Sequence, residues 1–548
     1  MHKFGAARWN GNAALGKLCA CRLKKRTIMA TEVELKLYCP PEEFVRLETH
    51  PLITAGVEQG GSKRLENTYF DTPDLALHQE RIALRVRTTP TEKLQTVKCA
   101  ASSLAGLSSR PEWEIPYPGS FDFSGIEAAQ VRLFLEERQS GLIPVFTTVF
   151  ERRTWRIDVS KKICILVMLD QGQVSSGDVL LPISEVELEL VQGQPEDLLD
   201  FAIALATHLP LVPNDVSKAE RGYHLFLNRA VCPQKASPSP LDAKHNTAEA
   251  FQLLASQGMQ MWQANLLGTL TSPDQEFVHQ FRVSLRRLNT LIKVFKPVLP
   301  ERYQAQWTKR IKELSQITGE VRDLDVMRLG VLEPLLESEQ PAIHAHANVA
   351  LAALDHAKQA AVAQLKRHCY GGPVLLFARD LQDLDSGDFP KNLPRFAEKQ
   401  LSSLHRNAVK RLARTLKVPR PGNAHRFRIS LKHLRYSCEF FSPLFDGVEM
   451  LGYAKTIADL QDAFGFINDF HVAHSRMQDW VEQGAIPKEA CDAVVAWHTP
   501  HAQEVLVDAL HLADSVMRRC QPWCTECERH GLTSIRRRLQ HEINLVID

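Results

Sequence analysis

Two periods divide the chain. From residue 31 to about 228 the informative stretches alternate apolar and polar side chains: TEVELKLY (31–38), RIALRVRT (81–88), LQTVKCA (94–100), RPEWEIPY (110–117), ICILVMLD (163–170) and ISEVELELV (183–191). Period two marks a β-strand whose faces differ, and Gly, Pro, Asp and Ser punctuate the runs. The pattern predicts about eight antiparallel strands with some helices, such as PEDLLDFAIALATHL (195–209). Further on the period becomes 3.6, as in AFQLLASQGMQMWQANLLGTL (250–270) and PAIHAHANVALAALDHAKQAAVAQLKRHC (341–369), and strand signals disappear. Between them VCPQKASPSPLDAKHNT (231–247), rich in Pro, Ser and Ala, reads as a linker.

The helical half repeats itself. HQFRVSLRRL (279–288) aligns with HRFRISLKHL (425–434), and LSQITGEVRDLDV (314–326) with LQDAFGFINDFHV (460–472), both at an offset of 146 residues. Two blocks that share one offset predict a duplicated four-helix-like unit, with the repeated segments 279–326 and 425–472 meeting near a pseudo-twofold axis. In each copy one helix face carries a basic stripe: His279, Arg282 and Arg286, then His425, Arg428 and Lys432. Like charges at that spacing call for a counter-anion. Asp323, Asp325, Asp462 and Asp469 can supply part of it, but Arg287, Lys293, Lys410 and Arg435 add surplus positive charge, which favours an external polyanion.

The charged residues of the first half also fall at alternate positions. Glu32, Glu34 and Lys36 share one face, as do Arg85 and Arg87, then Glu112 and Glu114, then Glu185, Glu187 and Glu189; Lys98 and Asp170 join them. If these faces looked outward, Val33, Leu35, Val186 and Leu188 would fill a barrel core. Three carboxylates on one face of SEVELEL repel each other and serve no structural end, so the charges are expected to line the interior. An acidic wall beside a basic one suits a polyphosphate anion bridged by hard Mg²⁺ or Mn²⁺, and phosphoanhydride hydrolysis is the reaction class it suggests.

Composition changes little. The chain has 548 residues, 44% hydrophobic, and a net charge of +2, so whole-chain charge names no partner. No apolar run is long enough to span a membrane. The twelve cysteines are mostly scattered, which points to a reducing cytoplasm; Cys520, Cys524 and Cys527, near His530, are expected to be free thiols rather than ligands. Residues 1–28 are basic and contain no acid. The simplest expectation is translation from Met29, with 1–28 outside the folded protein.

The E-x-E-x-K of 32–36, together with R-x-R (85–87), RPEWEI (110–115), FERRTW (150–155), LDQGQV (169–174), EVELEL (185–190) and SKAERGYHL (217–225), resembles the CYTH, or triphosphate tunnel metalloenzyme, superfamily, and within it the bacterial inorganic triphosphatases. The resemblance implies an α+β chain whose first domain, 29–228, is an eight-stranded antiparallel β tunnel with flanking helices that hydrolyses tripolyphosphate with Mg²⁺ or Mn²⁺. It implies metal ligation by Glu32 and Glu34 with Glu185, Glu187 or Glu189. Phosphate would be bound by Lys36, Arg85, Arg87, Lys98, Arg152 and Lys218, and water oriented by Glu112 or Glu114. Leu166 departs from the pattern, since relatives often carry an acid there.

After a linker at 229–247, the motifs H-x2-R-V-x2-R-R-L, RDLDV and H-x2-R-I-x2-K-x-L-R-Y resemble the CHAD domain, placed at 248–535 as an all-α bundle. That implies binding of inorganic polyphosphate by His279, Arg282, Arg286, Arg287, His425, Arg428, Lys432 and Arg435, in a cytoplasmic protein associated with polyphosphate granules. The copies differ where Arg322 becomes Asn468 and Asp325 becomes His471. Other readings are a CYTH hydrolase or cyclase acting on thiamine triphosphate or a nucleoside triphosphate, and a non-catalytic polyphosphate binder. RNA is disfavoured because no aromatic stacking platform lies near the His motifs.

Overall fold

The computed structural model describes residues 30–99, 103–384, 389–418, 420–519 and 521–523. Residues 1–28, Met29, Cys520, Cys524, Cys527 and His530 lie outside the described residues, as do the side chains of Glu32 and Arg110.

Eight long strands build the first half: β1 (Ala30–Tyr38), β2 (Lys63–Asp71), β3 (Ile82–Thr88), β4 (Lys93–Cys99), β5 (Leu107–Pro116), β6 (Ile143–Ser160), β7 (Ile163–Ser176) and β8 (Val179–Gln192). All pair antiparallel, and the curled sheet returns on itself. β1 pairs with β8 on one side, Glu34 opposite Glu189 and Lys36 opposite Glu187, and with β5 on the other, Leu35 opposite Leu107. The remaining ladders run β8–β7–β6–β2–β3–β4–β5. An eight-stranded ring is wide enough to hold one small ligand among its inward side chains.

Alternation decides which face goes where. Leu35, Leu37, Ile165, Val167, Val186 and Leu188 point outward and are buried with Leu198, Leu199, Ala202 and Leu205 of a covering helix, Pro195–Ala206. On another side Leu84, Val97 and Trp113 are covered by Phe123, Ile126 and Leu135, the last from the helix Ala129–Arg138. These helices are α1 (Ala129–Arg138) and α2 (Pro195–Ala206); a third, α3 (Lys218–Phe226), packs against β6, β7 and β8. Ser217 caps it, accepting from the Glu220 amide. Gly222 lets it sit against Phe146: a Cβ there would lie 2.1 Å from the ring. The Tyr223 hydroxyl donates to buried Asp71 at 2.7 Å, anchoring the helix to β2.

Residues 229–246 have little regular structure but are held in place. Ser239 donates to the carbonyl of Phe440, and Asn265 and Gln234 bond to each other through side chain and backbone. Helices follow: α4 (Thr247–Thr271), α5 (Gln275–Val294), α6 (Glu301–Met327), α7 (Pro341–His368), α8 (Gly372–Gln382), α9 (Leu393–Lys417), α10 (Pro421–Phe441), α11 (Gly447–Glu482) and α12 (Lys488–Met517). The duplication is visible in these bounds. The starts 247, 275 and 301 recur at 393, 421 and 447, each displaced by 146, and 341 recurs at 488, displaced by 147. Each copy is therefore four helices, α4–α7 and α9–α12, with α8 between. The copies pack α5 on α10 and α6 on α11. Arg379 on α8 donates to Asp200 on α2 at 2.9 Å, tying the helical half to the sheet. No helix among the described residues is long and apolar enough to cross a membrane.

Candidate active site and polyanion groove

Inside the ring the charges sort into two groups. The first gathers around β7, β8 and α3. Asp170, Glu185 and Glu187 are buried, and their carboxylate oxygens lie within 4.8 Å of one another. Burying three carboxylates together is costly unless cations join them. Arg152 on β6 supplies one, bound bidentate to Asp170 (Nε to Oδ1 2.7 Å, Nη2 to Oδ2 2.6 Å) and also to Glu187. Lys218, the first residue of α3, supplies the other, donating to Asp170 at 2.7 Å, to Glu187 at 3.0 Å and to Glu185. Burial alone would raise the Glu187 carboxyl, but Lys218, Arg152, Lys36 and Lys98 outweigh it and hold it well below the ordinary carboxylate range. Burial would likewise lower Arg152, yet Asp170 and Glu187 hold its guanidinium well above its usual value.

Toward β1 the pattern continues. Lys36 donates to Glu34 at 2.8 Å and lies 4.0 Å from Glu187, and Ser108 donates to Glu34 at 3.3 Å. Glu189 is opposite both Glu34 and Leu166 in the ladder, and the Glu32 backbone is opposite Arg110.

The second group is a basic wall on β3, β4 and β5. Lys98 reaches Glu112 at 2.8 Å, and Arg85 lies 3.7 Å from the same carboxylate. Arg87 lies 3.7 Å from Glu114, which accepts from Thr96 at 3.0 Å, and bonds Asn67 at 3.1 Å. Arg85 pushes Arg87 down to about 10, with burial adding to the effect. The Nε of Arg85 is buried with no hydrogen-bond partner among the described residues. The structure thus gathers every described tunnel residue the pattern singled out. Asp170, which alternation places on the inward face, lies beside Glu185 in the ladder and there holds both Arg152 and Lys218.

Oxygen donors of this kind suit a hard divalent ion. The triad Asp170, Glu185 and Glu187, however, already embraces the Lys218 ammonium. The three carboxylates face three cations, Lys218, Arg152 and, 3.5 Å from Glu185, Arg221, so their charge is balanced in this structure. Among the described residues this triad is the group of acids close enough to hold an ion together, and an ion there would displace the Lys218 ammonium.

In the helical half the stripes of the two copies converge. Arg286 of α5 acts on Arg428 and Lys432 of α10, and Arg282 on Lys432. Burial first, then Arg428 and Arg286, push Lys432 down to about 6. Burial and then the neighbouring cation Arg322 push His279 down to about 4, and burial lowers Arg282 to about 10. Among the described residues no carboxylate reaches ion-pair distance of Arg282, Arg286, Arg428 or Lys432, and the Nε atoms of Arg286 and Arg428 are buried without partners. Arg282 is steered by the Ser315 carbonyl at 2.7 Å. His425 bonds Asn468 at 2.6 Å, where its counterpart His279 faces Arg322.

Two stripe neighbours go elsewhere. Arg287 donates to Glu439 and stacks on Phe440, and Arg435 bonds the same Glu439 at 2.9 Å, so both serve an internal ion pair. Asp325 is likewise spent on Lys358 at 2.6 Å.

Comparison with known families matches residues 30–223 to the CYTH domain and residues 254–478 to the CHAD domain. An inorganic triphosphatase of Haemophilus influenzae is 33% identical over 198 residues, 36% of this chain; the match spans little more than half, 56%, of that relative. Among solved structures, the CHAD domain from the plant Ricinus communis is 25% identical over 53% of this chain and 98% of its own, with a TM-score of 0.45. A Hippeastrum protein assigned as an adenylyl cyclase, and found to have a dominant triphosphatase activity, is 16% identical over 36% of this chain and 97% of its own, with a TM-score of 0.28.

Proposed function

The chain is a member of the CYTH family through residues 30–223 and carries a CHAD domain at 254–478, and on that premise we propose that its tunnel hydrolyses inorganic tripolyphosphate with Mg²⁺ or Mn²⁺ while its helical domain binds inorganic polyphosphate. The observation that carries the first part is the pair of opposed walls: Arg85, Arg87 and Lys98 on one side, Glu34, Glu187 and Glu189 on the other, inside a closed ring.

The basic wall binds and orients the triphosphate oxygens, Arg85 and Arg87 in bidentate fashion. Arg152 and Lys218 would join them by exchanging a carboxylate partner among Asp170, Glu185 and Glu187 for a phosphate oxygen. Glu32, Glu34 and Glu189, with Glu185 and Glu187 beside them, are the residues that would hold the ion. When bound, the ion neutralises phosphate oxygens and polarises the phosphoryl group. Glu112 and Glu114 stand within the basic wall, where a carboxylate can accept a hydrogen bond from the attacking water and line it up. Glu34, Lys36 and Glu187 are buried, which strengthens the contacts they make.

For the helical domain the supporting observation is the cluster of Arg282, Arg286, Arg428 and Lys432, which no described carboxylate meets at ion-pair distance. Burial first, then neighbouring cations, push Arg282, Arg428 and Lys432 down, and the acids Asp323, Asp462 and Asp469 offset this only in part. The test of the tunnel is phosphate release from tripolyphosphate with Mg²⁺ or Mn²⁺, comparing the protein with Glu34→Gln and Arg85→Ala. Metal-dependent release that both variants lose is expected; none from the unaltered protein overturns the proposal. Polyphosphate binding that survives in Glu34→Gln but drops in Arg282→Gln/Arg428→Gln separates the two roles.

A further inference from the structure

Outside the groove, the corner where α9 turns into α10 holds a cleft of about 480 Å³ lined by Arg414, Lys417, Arg420, Asn423 and Arg426. Asn423 accepts from Arg426 at 2.6 Å and donates to the Val418 carbonyl at 2.7 Å, which fixes the turn. Among the described residues no carboxylate pairs with any of the four cations. The duplicated fold does not require them. At the matching positions 146 residues earlier the first copy has Gly268, Thr271, Asp274 and Gln280, and there Asp274 caps α5 by accepting from the Glu276 amide at 2.8 Å. In the second copy the capping position of α10 is Arg420, with no side-chain cap. Four exposed like charges around a cleft leave a surplus positive potential that attracts an anion and that salt screens.

The cleft has a direct neighbour. Arg426 follows His425, the first residue of the α10 stripe, and His425 is itself exposed. The stripe and the corner therefore meet at the N-terminal end of one helix. We propose that this corner is a second phosphate-binding site, taking the overhanging end of a polyphosphate chain that leaves the central groove across the second copy. The inference rests on the polyphosphate reading of the helical domain. It makes the two copies unequal: the chain exits over α10, where the cations are, and not over α5, where Asp274 and Glu276 stand.

The experiment uses the full chain with Arg414→Gln, Lys417→Gln and Arg420→Gln combined, and follows binding of long-chain polyphosphate and of a short oligophosphate at several salt concentrations. The variant is expected to bind long chains roughly tenfold more weakly with a shallower salt slope, as loss of a few phosphate contacts does. It should bind short chains, and release phosphate from tripolyphosphate, as the unaltered protein does. Equal long-chain affinity and slope in both proteins overturns the corner site alone. An unaltered protein that binds no polyphosphate overturns the groove reading and this site with it. Displacement of long-chain polyphosphate from the corner by single-stranded RNA at equal phosphate concentration overturns the assignment to polyphosphate. Thr271→Arg, which adds a cation at the exposed matching position of the first copy, controls for charge in general and should leave long-chain binding unchanged.

Discussion

Arg152 clasps Asp170 with two parallel hydrogen bonds, and Asp170 holds Lys218 at the same time. Asp170 is fully buried, so it is the hinge of charge neutrality at that end of the tunnel. Asp170→Asn leaves Arg152, Lys218 and Arg221 facing only Glu185 and Glu187, and takes from Arg152 both of its parallel bonds. Removing one partner from a buried ionic set costs about 3–5 kcal/mol. The variant should unfold at markedly lower temperature or urea concentration, and Asp170→Asn/Arg152→Met should recover part of the loss. Unfolding of Asp170→Asn at the midpoint of the unaltered protein would contradict this.

Glu112 stands among Lys98, Arg85 and, in our reading, the attacking water. If it orients that water, Glu112→Gln should lower kcat by roughly 10²-fold, the usual scale of a positioned acid–base group. KM should stay level or fall, because the basic wall gains net positive charge. A kcat at the original level would confine Glu112 to holding Lys98 and Arg85.

Much of this arrangement is legible in the residues. The alternation of Glu34 and Lys36 with Leu35 and Leu37 marks two faces, and the three acids of SEVELEL tell which one is inside. The repeat offset of 146 foretells the helix starts to within a residue. What local patterns do not carry is register. That Glu34 meets Glu189, or that Asp170 lies beside Glu185, depends on pairing between strands far apart in sequence. The same holds for Arg287, one position past Arg286 and so about 100° around the helix. Its partner Glu439 belongs to the other copy, and no pattern within one copy shows it.

Lys432 supplies a pH signature. In the unfolded chain a lysine titrates near 10.4; in the fold it sits at about 6, lowered by burial, Arg428 and Arg286. Between those values the unfolded state holds the extra proton, so this residue makes stability rise with pH across that window. A bound polyanion reverses the preference by favouring the ammonium, so binding takes up a proton above pH ~6. Polyphosphate affinity should therefore fall as pH rises from about 6 to 8, by at most tenfold per pH unit for one proton. Lys432→Arg, with a guanidinium that stays charged, should flatten the profile. A profile identical in the two proteins would assign the pH dependence to another group.

The last relationship tests whether the groove is as finely shaped as it is charged. Gly319 on α6 and Gly465 on α11 are counterparts at the same 146-residue offset, each facing the arginine of a stripe. A Cβ at Gly319 would lie 2.8 Å from Arg282 Nη1, whereas one at Gly465 would lie 3.5 Å from Arg428 Nη2. The first contact forces the guanidinium to move off the Ser315 carbonyl; the second is ordinary van der Waals distance. Each glycine sits in a helix interior, where alanine is favoured by up to about 1 kcal/mol. Gly465→Ala should therefore keep or raise thermal stability and leave polyphosphate binding intact. Gly319→Ala should be close to neutral in stability, because the displaced group is the end of a flexible side chain, yet bind polyphosphate several-fold more weakly because Arg282 no longer points into the cluster. Titration of both variants with polyphosphate, beside their melting curves, separates the outcomes: equal binding by the two would mean that Arg282 takes no part in holding the chain.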